Sequence, residues 1–398
     1  MAEKNKRGFH TVEEPDMKEY EQKIREHRLK IFKNTSITIL VILLLAAGIG
    51  LFMALRHYES YDVISSVQRE DTEAAHFTEF AGNLLKYSND GALYTDTSND
   101  LIWNQTYEMA DPQISICNKY LTIYDKRGTM IYILTPEGLQ GSIETTMPVE
   151  QVCIAAQGTV AVLMKKDSAG YLAVYDKSGS NLVEGAIHGE KGGYPVAIAL
   201  SNDAIKLAVS MLDINEGKIK STVAFYNFGS VGENEIDHVV GAVSFSDTVV
   251  PELYFNSQDQ LMALTDSGIL FFEGAQKPKQ SDEIKFDKEV KTVFYNDRYI
   301  GLVTSNDDEA VTHHFKVYDT KGNLVTEKDF EMEYTSIGFM SNNEICIRNE
   351  TVCDIYTIRG IYKFHHEFED NLYQVIPGGA GLNYTFILEG ITEKARLK

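Results

Sequence analysis

The side chains best able to do chemistry in this chain are four cysteines, two histidine pairs and one acidic cluster. The cysteines are Cys117, Cys153, Cys346 and Cys353. None forms a CxxC, and no Cys/His set lies at zinc-ligand spacing. If Asn349-Glu350 is a two-residue turn, Cys346 faces Cys353 across a strand pair. Directly opposed Cβ atoms are ~4.5–5.5 Å apart, from which a disulfide needs only a modest adjustment; the same placement suits two free thiols. His313-His314 and His365-His366 are adjacent in sequence. Neighbours in a strand point to opposite faces, so neither pair chelates one metal, and surface histidines are the expectation. Asn306-Asp307-Asp308-Glu309 offers carboxylates for calcium but lacks the glycine and the ligand spacing of a calcium loop, so a solvated turn is expected. No G-x-S-x-G elbow is present. No catalytic, cofactor-binding or metal-binding residue is assigned, and a disulfide between Cys346 and Cys353 is the one candidate pairing.

The elements that hold these residues begin with an apolar run. Ile37 to Leu55 carries one hydroxyl (Thr38), two glycines and no charge over nineteen residues. At ~1.5 Å per residue such a helix is about 28 Å long, close to the ~30 Å hydrocarbon core of a bilayer. The spacing predicts one membrane-spanning helix over 37–55. Lys18, Lys23, Arg25, Arg28, Lys30 and Lys33 precede it, and only Arg56 and Arg69 follow within twenty residues. This asymmetry predicts a cytoplasmic N-terminus and an extracytoplasmic C-terminal part at the plasma membrane. The n-region and the apolar core both exceed those of a cleaved signal peptide, whose core runs ~7–15 residues, so an uncleaved signal-anchor is expected. Residues 1–36 read as a charged, partly helical tail, with Glu21/Arg25 and Glu26/Lys30 in the favourable i,i+4 order. Residues 56–82 are polar with scattered apolar positions and read as a partly helical stalk.

Charge bounds the partners. The whole chain is −21; the first 34 residues hold nine basic and seven acidic side chains, leaving 28 basic and 51 acidic, or −23, beyond them. An acidic body of this size repels phosphate backbones, so no nucleic-acid partner is expected.

From Asn83 onward, runs of four to eight β-branched and aromatic residues alternate with Asn, Asp, Ser and Gly. A turn recurs as Tyr87-Ser-Asn-Asp-Gly91, Tyr124-Asp-Lys-Arg-Gly128, Tyr175-Asp-Lys-Ser-Gly179, Leu264-Thr-Asp-Ser-Gly268, Tyr318-Asp-Thr-Lys-Gly322 and Tyr356-Thr-Ile-Arg-Gly360. The acid or amide caps the turn and the glycine accepts a positive φ. Cut by strands, units fall at about 113–147, 149–187, 195–245, 248–287, 290–333 and 335–370, each with four short strands. That is the period and strand count of a propeller blade. Residues 83–107 and 371–398 remain. Sharing one blade between them closes a ring of seven; a blade from each makes eight. The expected fold is an all-β propeller over 83–398, preceded by the transmembrane helix. The longer inserts, about 186–194, 212–220, 228–237 and 273–283, are expected to carry specificity on this scaffold.

The units YLAVYDKSGSNLV (171–183) and HFKVYDTKGNLVTE (314–327) resemble repeats of the pyrroloquinoline-quinone-type propeller superfamily and, more loosely, WD40-like propellers. The whole layout resembles an uncharacterised family of single-pass membrane-anchored β-propeller proteins of Gram-positive bacteria. The resemblance implies a propeller with a scaffold or ligand-binding role and no stated activity. Quinone enzymes of that superfamily use many tryptophans and a vicinal cysteine pair; here Trp103 is alone and no two cysteines are adjacent, so no cofactor is expected. The functional expectation is an envelope scaffold for a protein or cell-wall partner. The alternatives are a propeller enzyme that acts on an envelope polysaccharide through carboxylates at its channel mouth, and a ligand sensor signalling through the 13–34 helix.

Overall fold

The computed structural model describes residues 17–70, 75–166, 169–187, 193–274, 277–305, 312–379 and 381–398. It separates into two units, residues 1–56 and 57–398. Among its described residues the first contains one helix, Met17–Leu55, of 39 residues. Its segment Lys23–Gly48, of mean hydropathy 1.9, is long and apolar enough to cross a membrane by length and composition.

The second unit is an eight-bladed β-propeller. Every blade is a four-stranded antiparallel sheet. Blade 1 is His76–Phe80, Asn83–Ser88, Gly91–Thr95 and Leu101–Thr106; blade 2 is Pro112–Cys117, Tyr120–Asp125, Met130–Thr135 and Gly138–Glu144. Blade 3 is Val149–Ile154, Val160–Lys166, Ala169–Tyr175 and Asn181–Ile187; blade 4 is Tyr194–Leu200, Lys206–Asn215, Lys218–Asn227 and Val239–Ser246. Blade 5 is Glu252–Phe255, Leu261–Leu264, Gly268–Glu273 and Lys279–Lys285; blade 6 is Val290–Tyr295, Tyr299–Ser305, His313–Asp319 and Leu324–Phe330. Blade 7 is Ser336–Phe339, Ile345–Arg348, Val352–Tyr356 and Tyr362–Glu367. Blade 8 takes Leu372–Pro377, Asn383–Leu388 and Ile391–Leu397 from the C-terminus and its outermost strand, Tyr61–Gln68, from the other end of the unit. First strands of neighbouring blades pack side by side and surround the axis.

Burial explains the pattern. Middle strands such as Tyr120–Asp125 and Gly268–Glu273 are buried at almost every position, because a neighbouring blade covers each face. They therefore read as short unbroken apolar runs. The core lies between blades: Ile131 and Ile133 of blade 2 share a cluster with Val160, Val162 and Met164 of blade 3. Phe225 of blade 4 meets Phe272 of blade 5 with ring centroids 5.3 Å apart.

The recurring turn sits on two kinds of hairpin. Tyr87–Gly91, Tyr124–Gly128 and Leu264–Gly268 join second to third strands; Tyr175–Gly179, Tyr318–Gly322 and Tyr356–Gly360 join third to fourth strands. Asp176 Oδ1 accepts from the backbone N–H of Ser178 and Ser180, each at 2.9 Å, and Asp319 Oδ1 does the same for Lys321 and Asn323. Gly179 and Gly322 take φ of 87° and 77°, where a side chain is strained.

Of the seven or eight blades expected, the structure has eight, with one blade built on residues 76–106 and one on residues 372–397. It corrects two expectations. Residues 56–82 are not a helical stalk: they supply the outer strand of blade 8 and the inner strand of blade 1, so the propeller begins near His57. An outer strand faces solvent along much of its length, which is why Tyr61–Gln68 lacks an apolar run. Within the expected inserts, 212–215 and 218–220 prolong a hairpin of two 10-residue strands, and Lys279–Lys285 is the outer strand of blade 5.

Candidate functional site

Inner strands converge from blades far apart in sequence, and their side chains line the channel. A cavity of about 690 Å³ is bounded there by Glu79 of blade 1, Tyr254 of blade 5, Asp297 after the inner strand of blade 6, Gly338 and Arg348 of blade 7, and Gln374 of blade 8. Asp297 Oδ1 accepts from Tyr254 Oη at 2.7 Å and from the backbone N–H of Ser257 at 3.1 Å, fixing the carboxylate between blades 5 and 6. Burial and then the Asp297 charge push the Tyr254 phenol far above its ordinary range. The Tyr254 and Tyr295 rings lie 4.6 Å apart, and Tyr295 Oη donates to Glu252. Burial raises the Glu79 carboxyl above the usual carboxylate range, against a smaller lowering by its hydrogen bond with Ser341. Among the described residues neither Glu79 nor Asp297 forms an ion pair with a basic side chain. The Arg348 guanidinium instead donates from Nη1 to the Leu372 carbonyl at 3.1 Å. Carboxylates, phenols and open space together make a site that can hold a ligand.

Two further cavities open along the inner strands. A volume of about 160 Å³ shares Tyr254 and Asp297 and adds Cys117, Cys153 and Asn202. The Cys117 thiol donates to Asn202 Oδ1 at 3.1 Å and is pushed up to about 11 by burial and then by Asp297. Cys153 donates to the Ile198 carbonyl at 3.3 Å, and burial pushes it up to about 12. At the start of the inner strands, about 560 Å³ opens between Lys126, Lys165, Tyr194, Pro195 and Glu252.

The sequence-derived candidates are placed as follows. Cys346 and Cys353 are free, with sulfurs 3.7 Å apart. They are not directly opposed: Arg348 pairs with Cys353 and Cys346 with Ile355, so the thiols are diagonal neighbours on one face. Asn349 sets this register. Its Oδ1 accepts from the N–H of Thr351 and Val352 at 3.0 and 2.7 Å and its own N–H donates to the Val352 carbonyl at 3.1 Å, so the two-residue turn is Glu350-Thr351, one residue further on than Asn349-Glu350. His314 meets Asp329 at 2.6 Å, His365 meets Asp354 at 2.7 Å, and His366 Nδ1 lies 3.1 Å from the Glu59 carbonyl. His313 corrects the surface expectation: it is 3 % exposed, packed on Phe330 and Tyr334. Asn306 to Glu309 lie outside the described residues. Sequence reasoning missed Glu79, Asp297 and Gly338. The one local signal is Glu79 itself, an acid inside the aromatic run His-Phe-Thr-Glu-Phe.

The chain resembles solved propellers in fold. A crystal structure of BamB from Moraxella catarrhalis superposes with a TM-score of 0.50 at 11 % identity, covering 85 % of this chain and all of that one. The Pan2 WD40 domain of Neurospora crassa gives 0.46 at 9 % identity over 86 % of this chain and 98 % of that one. The computationally designed Ika8 protein gives 0.49 at 11 % identity, over 83 % and 98 %. No curated protein matches the sequence. A family model matches residues 54–397, and the chain belongs to that family, DUF5711, described as a family of unknown function.

Proposed function

We propose that this protein is a membrane-anchored scaffold that holds its propeller outside the cytoplasm, in the cell envelope, and binds a protein partner there. The apolar helix with its basic N-terminal flank supports the anchor and the orientation. The observation that carries the scaffold reading is an arm on blade 4. Its second and third strands pair with each other out to Asn215↔Lys218, past the last partners of the flanking strands at Tyr194↔Leu212 and Lys220↔Ser246. Beyond those points no further strand pairs with the hairpin among the described residues, and the Asp247 N–H reaches the Ile219 carbonyl at 2.8 Å. Ile214 and Ile219 face each other across it, and Ile214 is 66 % exposed. Solvated apolar side chains on a projecting strand pair suit a docking partner that adds a strand or covers the tip.

A photo-crosslinking residue in place of Ile214, in intact cells, should capture one or a few discrete species. A control at Glu137, on a turn between third and fourth strands of blade 2, should not capture them. Equal and diffuse labelling at both positions would reject the scaffold reading. A second reading, an enzyme acting on an envelope polysaccharide, draws on Glu79 and Asp297 lining one cavity. Glycan cleavage lost in Glu79→Gln would favour it; no cleavage by the intact protein would remove it.

A further inference from the structure

Glycine inside a strand costs stability, and it persists where something else needs the room. Gly301, in blade 6, is explained by the protein itself, since a Cβ there would strike the Phe294 ring. Gly338 is different. It lies in the inner strand of blade 7, paired with Cys346, and an added Cβ would meet nothing within 4 Å. Among the described residues no neighbouring group uses that space. It opens directly into the channel cavity of about 690 Å³, a size that accommodates a small organic molecule.

The walls state what such a molecule must be. Glu79 and Asp297 contribute carboxylates with no basic partner among the described residues, in a recess where an unpaired charge is costly. Tyr254 and Phe339 are aromatic residues lining the same cavity. Ring faces attract cations, and most strongly where water is excluded. Arg348 also lines the cavity; its Nη1 donates to the Leu372 carbonyl, and its charge offsets one of the two carboxylates, which leaves one uncompensated. A bare divalent metal is disfavoured, because among the described residues no three His, Cys, Asp or Glu side chains converge.

We infer that the propeller channel binds an organic cation, an amine or guanidinium on an apolar or aromatic body, with Glu79 and Asp297 as counter-charges and the space over Gly338 holding the body. This rests on the reading of the propeller as a binding scaffold and names the ligand class of its channel. The inference has no part in the blade 4 arm, so crosslinking at Ile214 stands or falls separately.

The test uses the full chain in detergent and three probes of one shape: phenethylamine, phenethyl alcohol and phenylacetate. Phenethylamine should bind saturably by calorimetry, and the neutral and anionic probes at least ~10-fold more weakly, as loss of a charge-assisted contact implies. Glu79→Gln should weaken amine binding by about the same factor. The variant should fold normally. The folded Glu79 carboxyl holds its proton more tightly than the unfolded one, so its contribution favours folding below the unfolded pKa and is lost as pH rises. Removing the charge therefore carries no stability penalty at pH 7. For the same reason amine affinity should fall as pH drops and Glu79 takes up its proton. Gly338→Trp should fill the open space and abolish binding while leaving the melting temperature within a few degrees. Equal binding of the alcohol and the amine, or undiminished binding by the Gly338→Trp variant, would overturn the inference.

Discussion

A chain shortened to begin at Glu70 will lose cooperative unfolding and aggregate, whereas one that begins at His57 will keep the transition of the full propeller. The difference is the outer strand of blade 8. Tyr61–Gln68 runs antiparallel to Ile391–Leu397, from Tyr61↔Leu397 to Gln68↔Ile391, with one irregularity between Val63 and Ser65. Arg69 locks its end: Nη1 donates to the Ile391 carbonyl at 2.8 Å and to Thr392 Oγ1 at 2.7 Å, and Nη2 to the Leu388 carbonyl at 2.7 Å. The same guanidinium stands 5.1 Å from the Phe77 ring centroid of blade 1, so one side chain touches both sides of the closure. Tyr61 packs on Phe386 and Phe368, at 5.0 and 5.8 Å. Removing these residues exposes apolar surface worth roughly 2 kcal/mol per large side chain and leaves charged-donor hydrogen bonds unmade at roughly 1.5–3 kcal/mol each. The sum is on the scale of a domain's whole stability, about 5–15 kcal/mol. It also bares the edge of Ile391–Leu397, which invites pairing with another chain. Thermal melts followed by circular dichroism and light scattering check this. A soluble, monomeric Glu70 chain with an unchanged melting temperature would contradict it.

Replacing Glu344 with alanine is expected to cost about 3–5 kcal/mol, among the largest losses from any single substitution. Glu344 sits in the turn after the inner strand of blade 7, and its Oε1 meets Lys363 Nζ at 2.5 Å. Both side chains are nearly buried, at 12 % and 11 % exposed. The Lys363 ammonium also donates to Tyr384 Oη at 2.7 Å and to the Gly381 carbonyl at 2.5 Å, and Tyr384 Oη donates to Glu344. A charge pair within blade 7 is thus tied to blade 8 through the Gly381 carbonyl and the Tyr384 phenol, whose ionisation is pushed far up by burial and then by Glu344. The alanine variant strands the ammonium without its counter-charge. Glu344→Gln keeps an acceptor and should lose less. A useful contrast is Lys277 with Glu235, 58 % and 40 % exposed, where solvent screens the pair and breaking it should cost no more than about 1 kcal/mol. Denaturant melts of the three variants give the ranking. A Glu344→Ala loss as small as that of Glu235→Ala would show that the network is loosely held.

Much of the fold was legible because propeller blades repeat short-range chemistry. The capped turns at Asp176 and Asp319 recur with their glycines, and the unit read over 149–187 coincides with blade 3 from Val149 to Ile187. What stayed hidden depended on partners far along the chain. Tyr61–Gln68 is mostly solvent-facing, so its own residues carry no apolar period, and its identity as a strand comes from Ile391–Leu397. The turn at Asn349 was read one residue early, because the reach of the Asn349 side chain to two amides, and not the residue types around it, sets the register. The channel site was hidden for a related reason. Glu79, Asp297 and Gly338 come from three blades and have no common spacing; only ring closure brings them to one cavity. Glu79 in particular lay in the segment read as a stalk, where an acid looks like solvated linker.

Ring closure by the first strand is what the cavity, the blade 7–8 network and the projecting arm all require. Hydrogen–deuterium exchange on the full chain in detergent measures it directly at the amides of residues 61–68. The account predicts slow exchange there, in step with Ile391–Leu397 and with the inner strands. Exchange over 61–68 as fast as that of an unpaired linker, with 391–397 also unprotected, would contradict it.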